Sequence, residues 1–285
     1  MSIPKAYENS EFLHSSQARE IRILAEFSEP RYRLKRHGVE GTIVFFGSAR
    51  TLSVADAKAN LERVEREGGN PAQLRKAKGL VKVAPYYDDA RELSRRLSLW
   101  SKEGSHGLTL CSGGGHGIMG ACNQGAHDAG APSVGFNISL PYEQSANEWI
   151  TPELGFQFHY FFLRKFWFVN SARAIVVFPG GFGTLDEFME VLTLVQTHKL
   201  ERPLPIILYG REYWKKVIDL DAFADFAMID ADDVNLWHWS DSVDDAFEHL
   251  TTALKDVHLR IPKVGQESPT MGISPLDESA LSSRK

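Results

Sequence analysis

An acid follows a glycine-rich turn in VVFPGGFGTLDEF, residues 176–188. Gly180, Gly181 and Gly183 can bring the backbone close to an anion and leave its amides free, because glycine lacks a Cβ and tolerates positive φ. If a helix starts at Thr184, its first amides and positive dipole end face the same anion. With Thr184 as the N-cap, Glu187 then falls at the third helical position, within one turn of the bound group. A carboxylate there can stabilise an oxocarbenium-like centre or activate water at an anomeric carbon. The same Thr-x-x-Glu spacing is also a capping box, in which Thr184 and Glu187 only satisfy each other's backbone amides. Spacing alone leaves both readings open. Asp186 is expected to point to another side of the helix.

The opposite charge comes from HYFFLRKFWFVNSARA, residues 159–174. Arg164 offers a planar fork suited to phosphate or hydroxyl oxygens. Lys165 reads as a solvated cation. Phe161, Phe162 and Trp167 can stack a base, although a core role accounts for most aromatics here. Two more apolar runs end in small residues, in FFGSAR (45–50) and CSGGGHGIMG (111–120). Each junction alone is explained as a tight turn; together they suggest a phosphate-bearing ligand. Gly115-x-Gly117-x-x-Gly120 matches the dinucleotide fingerprint, but it follows the second predicted strand, and Glu143 in a loop is its only candidate ribose acid. We therefore read no NAD site. No GxxxxGK[ST] sequence is present, which excludes a P-loop ATPase.

Positioning these groups requires strands that end at the glycines. The predicted strands are 42–46, 108–111, 133–138, 156–161, 174–178 and 204–208, with a weaker one at 236–239. Several are apolar throughout, as strands covered on both faces should be. Helical periodicity runs through YYDDARELSRRLSLW, where Leu93, Leu97 and Trp100 share one face, and through 184–198 and 241–257, the last capped by Asp241 or Ser242. The alternation predicts an α/β fold, a Rossmann-like doubly wound parallel sheet with helices on both faces. All three glycine junctions then lie at the carboxyl edge of the strands. Residues 1–40 read as a helical N-terminal extension and 41–260 as the nucleotide-binding catalytic domain. Residues 261–285, polar with scattered Pro, Gly and Ser, read as a disordered tail.

Composition narrows the function classes. The 285-residue chain has a formal net charge of −5 and 43% hydrophobic residues. There is apolar material for a sizeable core and no basic footprint for nucleic acid. Cys111 and Cys122 are too few for a disulfide framework, which points to a reducing, cytoplasmic setting. No apolar run suits a membrane span, and MSIPKAYENSEF has no signal-peptide core.

PGGFGTLDE (179–187) fits PGGxGTxxE, with Arg164-Lys165 upstream, SGGGHGIMG and a leading FGSAR. In these elements, across roughly residues 15–255, the chain resembles the Lonely Guy (LOG) family, whose members were often labelled possible lysine decarboxylases. HYFFLRK and the helical N-terminal extension resemble the longer, second type. The resemblance implies a phosphoribohydrolase that cleaves the N-glycosidic bond of a nucleoside 5′-monophosphate, a cytokinin riboside monophosphate or AMP, without metal or organic cofactor. It maps the catalytic pair onto Arg164 and Glu187. The phosphate loop maps onto Gly180, Gly181, Gly183 and Thr184, and the GGG turn onto Gly113, Gly114 and Gly115. It also implies a homo-oligomer, dimer or hexamer, with the site near a subunit interface. The chain departs from many longer-type members at His116 and Gly120, and from short-type members at Ala172-Arg173. Lysine decarboxylation normally needs pyridoxal phosphate on a lysine, and neither Lys165 nor Lys199 has such a context. The rival reading is a non-catalytic binder of a nucleotide or of a molybdenum cofactor, which resembles the same fold and glycine loop but needs no Arg164–Glu187 pair.

Overall fold

A computed structural model describes residues 5–104, 106–140, 145–200 and 202–258. Its centre is a sheet of seven strands: β1 Gly41–Phe46, β2 Leu108–Ser112, β3 Ser133–Ile138, β4 Gly155–Phe158, β5 Ala172–Val177, β6 Ile206–Tyr209 and β7 His238–Ser240. The order is β4-β3-β2-β1-β5-β6-β7, and every pair is parallel. The chain winds outward from β1 to β4, then crosses back to place β5 on the other side of β1. That reversal makes the carboxyl ends of β1 and β5 the switch point, where open α/β sheets bind ligands.

The strands are apolar on both faces because helices cover both. The helices are α1 Ser10–His14, α2 Arg19–Arg36, α3 Val54–Arg66, α4 Pro71–Val83, α5 Pro85–Glu103, α6 Ile118–Asp128, α7 Phe161–Ser171, α8 Phe182–Gln196, α9 Arg211–Val217, α10 Asp221–Asp225 and α11 Val243–His258. Ile43, Phe45, Ala174 and Val176 face Leu93 and Leu97 of α5, Ile118 of α6 and Leu250 of α11. Their neighbours Val44, Phe46, Ile175 and Val177 face Trp167 and Phe168 of α7, Phe188 of α8 and Trp214 of α9. The doubly wound sheet with helices on both faces is thus as expected.

Two helices meet unusually closely. A Cβ on Gly125 of α6 would press against the backbone of α5, 2.9 Å from Arg95 N and 2.8 Å from the Ser94 Cβ. Ser94 Oγ donates to Cys122 O at 2.5 Å across the same contact.

The leading helices contain no strand, as expected, and α2 lies against α7. Phe27 packs on Phe166 with ring centroids 5.0 Å apart. The Glu26 carboxylate accepts from His159 N at 2.9 Å and Tyr160 N at 3.2 Å, while Trp167 Nε1 donates to Glu26 O at 3.2 Å. This explains one correction. The strand expected over 156–161 ends at Phe158, because Glu26 takes the next two amides and α7 begins at Phe161. Helices α3 and α4 were not anticipated, although Val54, Ala57, Leu61 and Val64 recur along one face of α3 and Leu74, Ala77 and Leu80 along one face of α4; only Ala57 and Ala77 are fully buried. Ser242 Oγ accepts from Asp245 N at 3.2 Å at the start of α11, whereas Asp241 accepts from Arg211 N at 2.7 Å. The tail predicted for 261–285 and Glu143 lie outside the described residues. Among the described residues no helix is long and apolar enough to cross a membrane.

Candidate active site

The loops after β1 and β5 are tied together at the switch point. Phe178 N donates to Phe46 O at 2.9 Å, Ser48 N to Pro179 O at 3.1 Å, and Ile118 N to Ser48 O at 3.0 Å. Above them opens a cavity of about 680 Å³, walled by residues 47–51 and 179–185 together with Ile138, Phe161, Arg164, Glu187 and Tyr213. Gly117 has φ +65°, and a Cβ there would sit 2.6 Å from the Ala49 carbonyl carbon. The glycine pattern in 115–120 therefore serves this close approach of the β1 loop to α6.

The start of α8 differs from the expected one. The helix begins at Phe182 with Gly181 as N-cap, and no side chain caps it. Thr184 is thus the third helical residue and Glu187 the sixth, so the Thr184–Glu187 capping box does not form. Gly181, Phe182 and Gly183 are exposed, and their amides at the helix end are open to the cavity. Thr184 is buried, with its side chain packed beneath Gly180, where any Cβ would overlap it. Tyr213 OH holds the turn from the other side, donating to Gly180 O at 2.7 Å. Tyr213→Phe should raise KM for a phosphorylated ligand several-fold with a loss of only about 1 kcal/mol in stability, read by kinetics and thermal unfolding.

The shift of Glu187 to the sixth position turns it inward, toward α7. Its Oε1 lies 3.5 Å from Arg164 Nη1, and the two side chains are 16% and 10% exposed. The structure thus brings together two residues from helices flanking β5. Arg164 Nε donates to Phe136 O at 2.7 Å, Nη2 to Gly113 O at 3.5 Å, and the guanidinium lies 5.0 Å from the Phe168 ring centroid. Burial pushes the Glu187 carboxyl up to about 7, and Arg164 pulls it back. Burial lowers the Arg164 pKa, and Glu187 opposes that. Asp186 points away, as expected, pairing at 3.1 Å with Lys165, which also meets Glu190 at 2.6 Å. Lys165 is therefore ion-paired between α7 and α8 rather than simply solvated.

The raised Glu187 pKa has a definite sign. Between the unfolded value of 4.5 and about 7, the folded chain keeps a proton that the unfolded chain has lost. This group's contribution to stability therefore falls as pH rises through that window. Glu187→Gln removes the dependence. The difference in unfolding free energy, variant minus wild type, should move in favour of the variant between pH 5 and pH 8, by on the order of 3 kcal/mol. Denaturant titrations of both proteins across that range check it.

The other predicted residues are distributed unevenly. Gly180, Gly181, Gly183 and Thr184 line the cavity; Gly113, Gly114 and Gly115 do not. Gly113 lies against the Arg164 guanidinium, and Gly114 has φ +74°. Asn147 Nδ2 donates to Gly114 O at 3.0 Å and Gly115 O at 2.9 Å. Asn147, in an irregular stretch with no motif around it, was missed by sequence reasoning. Phe161 lines the cavity and is exposed, Phe162 is exposed outside it, and Trp167 is buried in the core. Phe182, 92% exposed, stands at the mouth. Among the described residues no lysine lines the cavity, which offers no Schiff-base partner for pyridoxal phosphate. Among the described residues no group of three or more His, Cys, Asp or Glu side chains is arranged to hold a metal ion.

A family model described as possible lysine decarboxylase matches residues 119–250. Among curated proteins, the cytokinin riboside 5′-monophosphate phosphoribohydrolase LOG of Oryza sativa subsp. japonica is 31% identical over 134 residues, which are 46% of this chain and 51% of that protein. An Arabidopsis thaliana protein of the same description is 29% identical over 129 residues, 44% of this chain and 56% of that one. The chain spans about half the length of these curated relatives. Among solved structures, the molybdenum cofactor binding protein from Rippkaea orientalis superposes with a TM-score of 0.46 at 17% identity, over 75% of this chain and 96% of that one. The Moco carrier protein from Chlamydomonas reinhardtii gives 0.45 at 19% identity, over 76% and 99%. The family match and the curated relatives bear out the resemblance carried by PGGFGTLDE and Arg164-Lys165: this chain is similar to the Lonely Guy family.

Proposed function

We propose that the cavity binds a nucleoside 5′-monophosphate and hydrolyses its N-glycosidic bond, giving free base and ribose 5-phosphate. The observation that carries this reading is the buried Arg164–Glu187 pair, 3.5 Å apart, in the wall of a cavity that also exposes an uncapped helix end. The 5′-phosphate sits on the amides of 181–183, and its charge is favoured by the α8 dipole. Glu187 then faces the ribose one and a half turns further on. As the C1′–N bond breaks, its electron pair leaves with the base and positive charge grows on the sugar. The ionised Glu187 stabilises that charge and takes a proton from the water whose oxygen bonds to C1′; that proton then passes to the departing base, which returns Glu187 to its ionised form. Arg164, with hydrogen bonds to two backbone carbonyls, holds the Glu187 side chain in place and partly offsets the burial that favours its protonated form. The apolar wall of Ile138, Leu140 and Phe161 receives the base.

The curated relatives, named as cytokinin riboside 5′-monophosphate phosphoribohydrolases, support this reading for the part of the chain that they match. A cytoplasmic setting belongs to the proposal, since both cysteines are free and buried. So does a homo-oligomer, dimer or hexamer, for which the exposed Phe161 and Phe182 at the mouth offer apolar contact. The test is chromatographic product analysis after incubation with AMP and with isopentenyladenosine monophosphate, for wild type and Glu187→Gln. Free base from wild type alone is expected. Both ligands bound and recovered intact from the wild type would point to a binding protein instead.

A further inference from the structure

A buried polar cluster outside the cavity lining adjoins the Arg164–Glu187 pair. Its centre is Asn147, 7% exposed. Besides the carbonyls of Gly114 and Gly115, its Nδ2 donates to Asn123 Oδ1 at 3.0 Å, and its own N–H donates to Gly114 O at 2.9 Å. Trp149 N donates to Asn147 Oδ1 at 3.1 Å, which fixes the amide's orientation. From the other side, Ser112 Oγ donates to Asn123 Oδ1 at 2.6 Å and accepts from Gly114 N at 3.0 Å. Asn123 Nδ2 donates to Val134 O at 3.2 Å. The glycine turn is thus gripped from α6, from β2 and from the run before β4.

What the turn supports is Arg164. Gly113 is the surface on which the guanidinium rests: a Cβ there would collide with Arg164 Nη2 and lie 2.6 Å from Met119 Sδ. A displacement of Gly113 toward Arg164 therefore moves the guanidinium relative to Glu187. We propose that Asn147 is a positioning residue for the Arg164–Glu187 pair, acting through the backbone of the 113–115 turn. Its catalytic consequence rests on the function proposed above; its geometric consequence does not.

Asn147→Asp is nearly isosteric but replaces a donor with an acceptor facing three oxygens. Asn147→Ala removes the donor without adding charge, and serves if the aspartate variant does not fold. Thr42→Val is the control. It removes the buried 2.9 Å hydroxyl pair of Thr42, at the amino end of β1, and Ser171, the last residue of α7, near the opposite end of that helix from Arg164. The full-length proteins are compared by thermal unfolding, by AMP kinetics and by the NMR resonance of Arg164 Nε–H. The Asn147 variants should lower kcat by about 10- to 100-fold, the scale of a misplacement near 1 Å, with KM for AMP within about three-fold because the 180–184 loop is untouched. The Arg164 resonance should shift in these variants and stay put in Thr42→Val at similar stability. Equal kcat loss in variant and control, with an unmoved resonance, overturns the proposal. If wild type does not hydrolyse AMP, the function falls and the resonance alone decides the positioning role.

Discussion

Glu187→Gln should lower AMP turnover by about 10²- to 10⁴-fold, the usual contribution of a positioned acid–base group, while AMP affinity changes little. Gln keeps the size and one acceptor oxygen but carries no negative charge for the sugar and takes no proton from water. Phosphate binding rests on the 181–183 amides, which the substitution does not touch. A pH signature accompanies it. With the carboxyl at about 7 and its ionised form the active one, wild-type kcat/KM should climb with pH through neutrality and level off above it. The residual activity of Glu187→Gln should lack that rise. Retention of full turnover by the variant sinks the mechanism.

Gly125→Ala should lower thermal stability markedly, against the trend for alanine in a helix. In an open helix the change gains up to about 1 kcal/mol. Gly125 is not open: a Cβ there meets Arg95 N and Ser94 Cβ within 3 Å, and α5 cannot retreat without tearing Leu93 and Leu97 from the core. Overpacking of this kind costs about 1–3 kcal/mol, or several degrees in Tm for a chain of this size. Gly79 in α4 is the internal comparison, because a Cβ there meets nothing within 4 Å. Gly79→Ala should raise Tm slightly. Calorimetry on the two variants separates backbone propensity from helix–helix contact; the same sign for both would refute the close-packing argument.

The sheet was legible because burial on both faces imposes a composition. Ile43–Phe46 and Ala174–Phe178 have no solvent side, so their apolar runs survive unbroken in the sequence. Helices α3 and α4 did carry a signal, Val54, Ala57, Leu61 and Val64 on one face of α3 and Leu74, Ala77 and Leu80 on one face of α4, but these faces are mostly half-buried and set among many charged residues. For the glycine–acid motif, spacing left a capping box and a ligand-facing acid both open, and the structure forms no capping box. Propensity puts the helix start at Thr184, but the tertiary turn at Pro179 starts it at Phe182, and Glu187 rotates from the backbone toward Arg164. That contact links residues from different helices, and no local pattern encodes it. Asn147 was invisible for a related reason. Most of its partners are backbone groups, which every residue possesses, so nothing in their sequence announces that they need one another.

The Glu26 carboxylate, which receives the amides of His159 and Tyr160, bears on how the chain can be dissected. Those amides lead directly into the helix that carries Arg164. Shortening the chain from its beginning past Glu26 would thus remove the acceptor for that helix entrance, along with the aromatic partner of Phe166. By primary structure the leading segment looks detachable; by hydrogen bonding it shares a joint with the helix that carries Arg164. Modularity here is bounded by where a helix finds its acceptors, and a functional minimal fragment would have to begin upstream of α2.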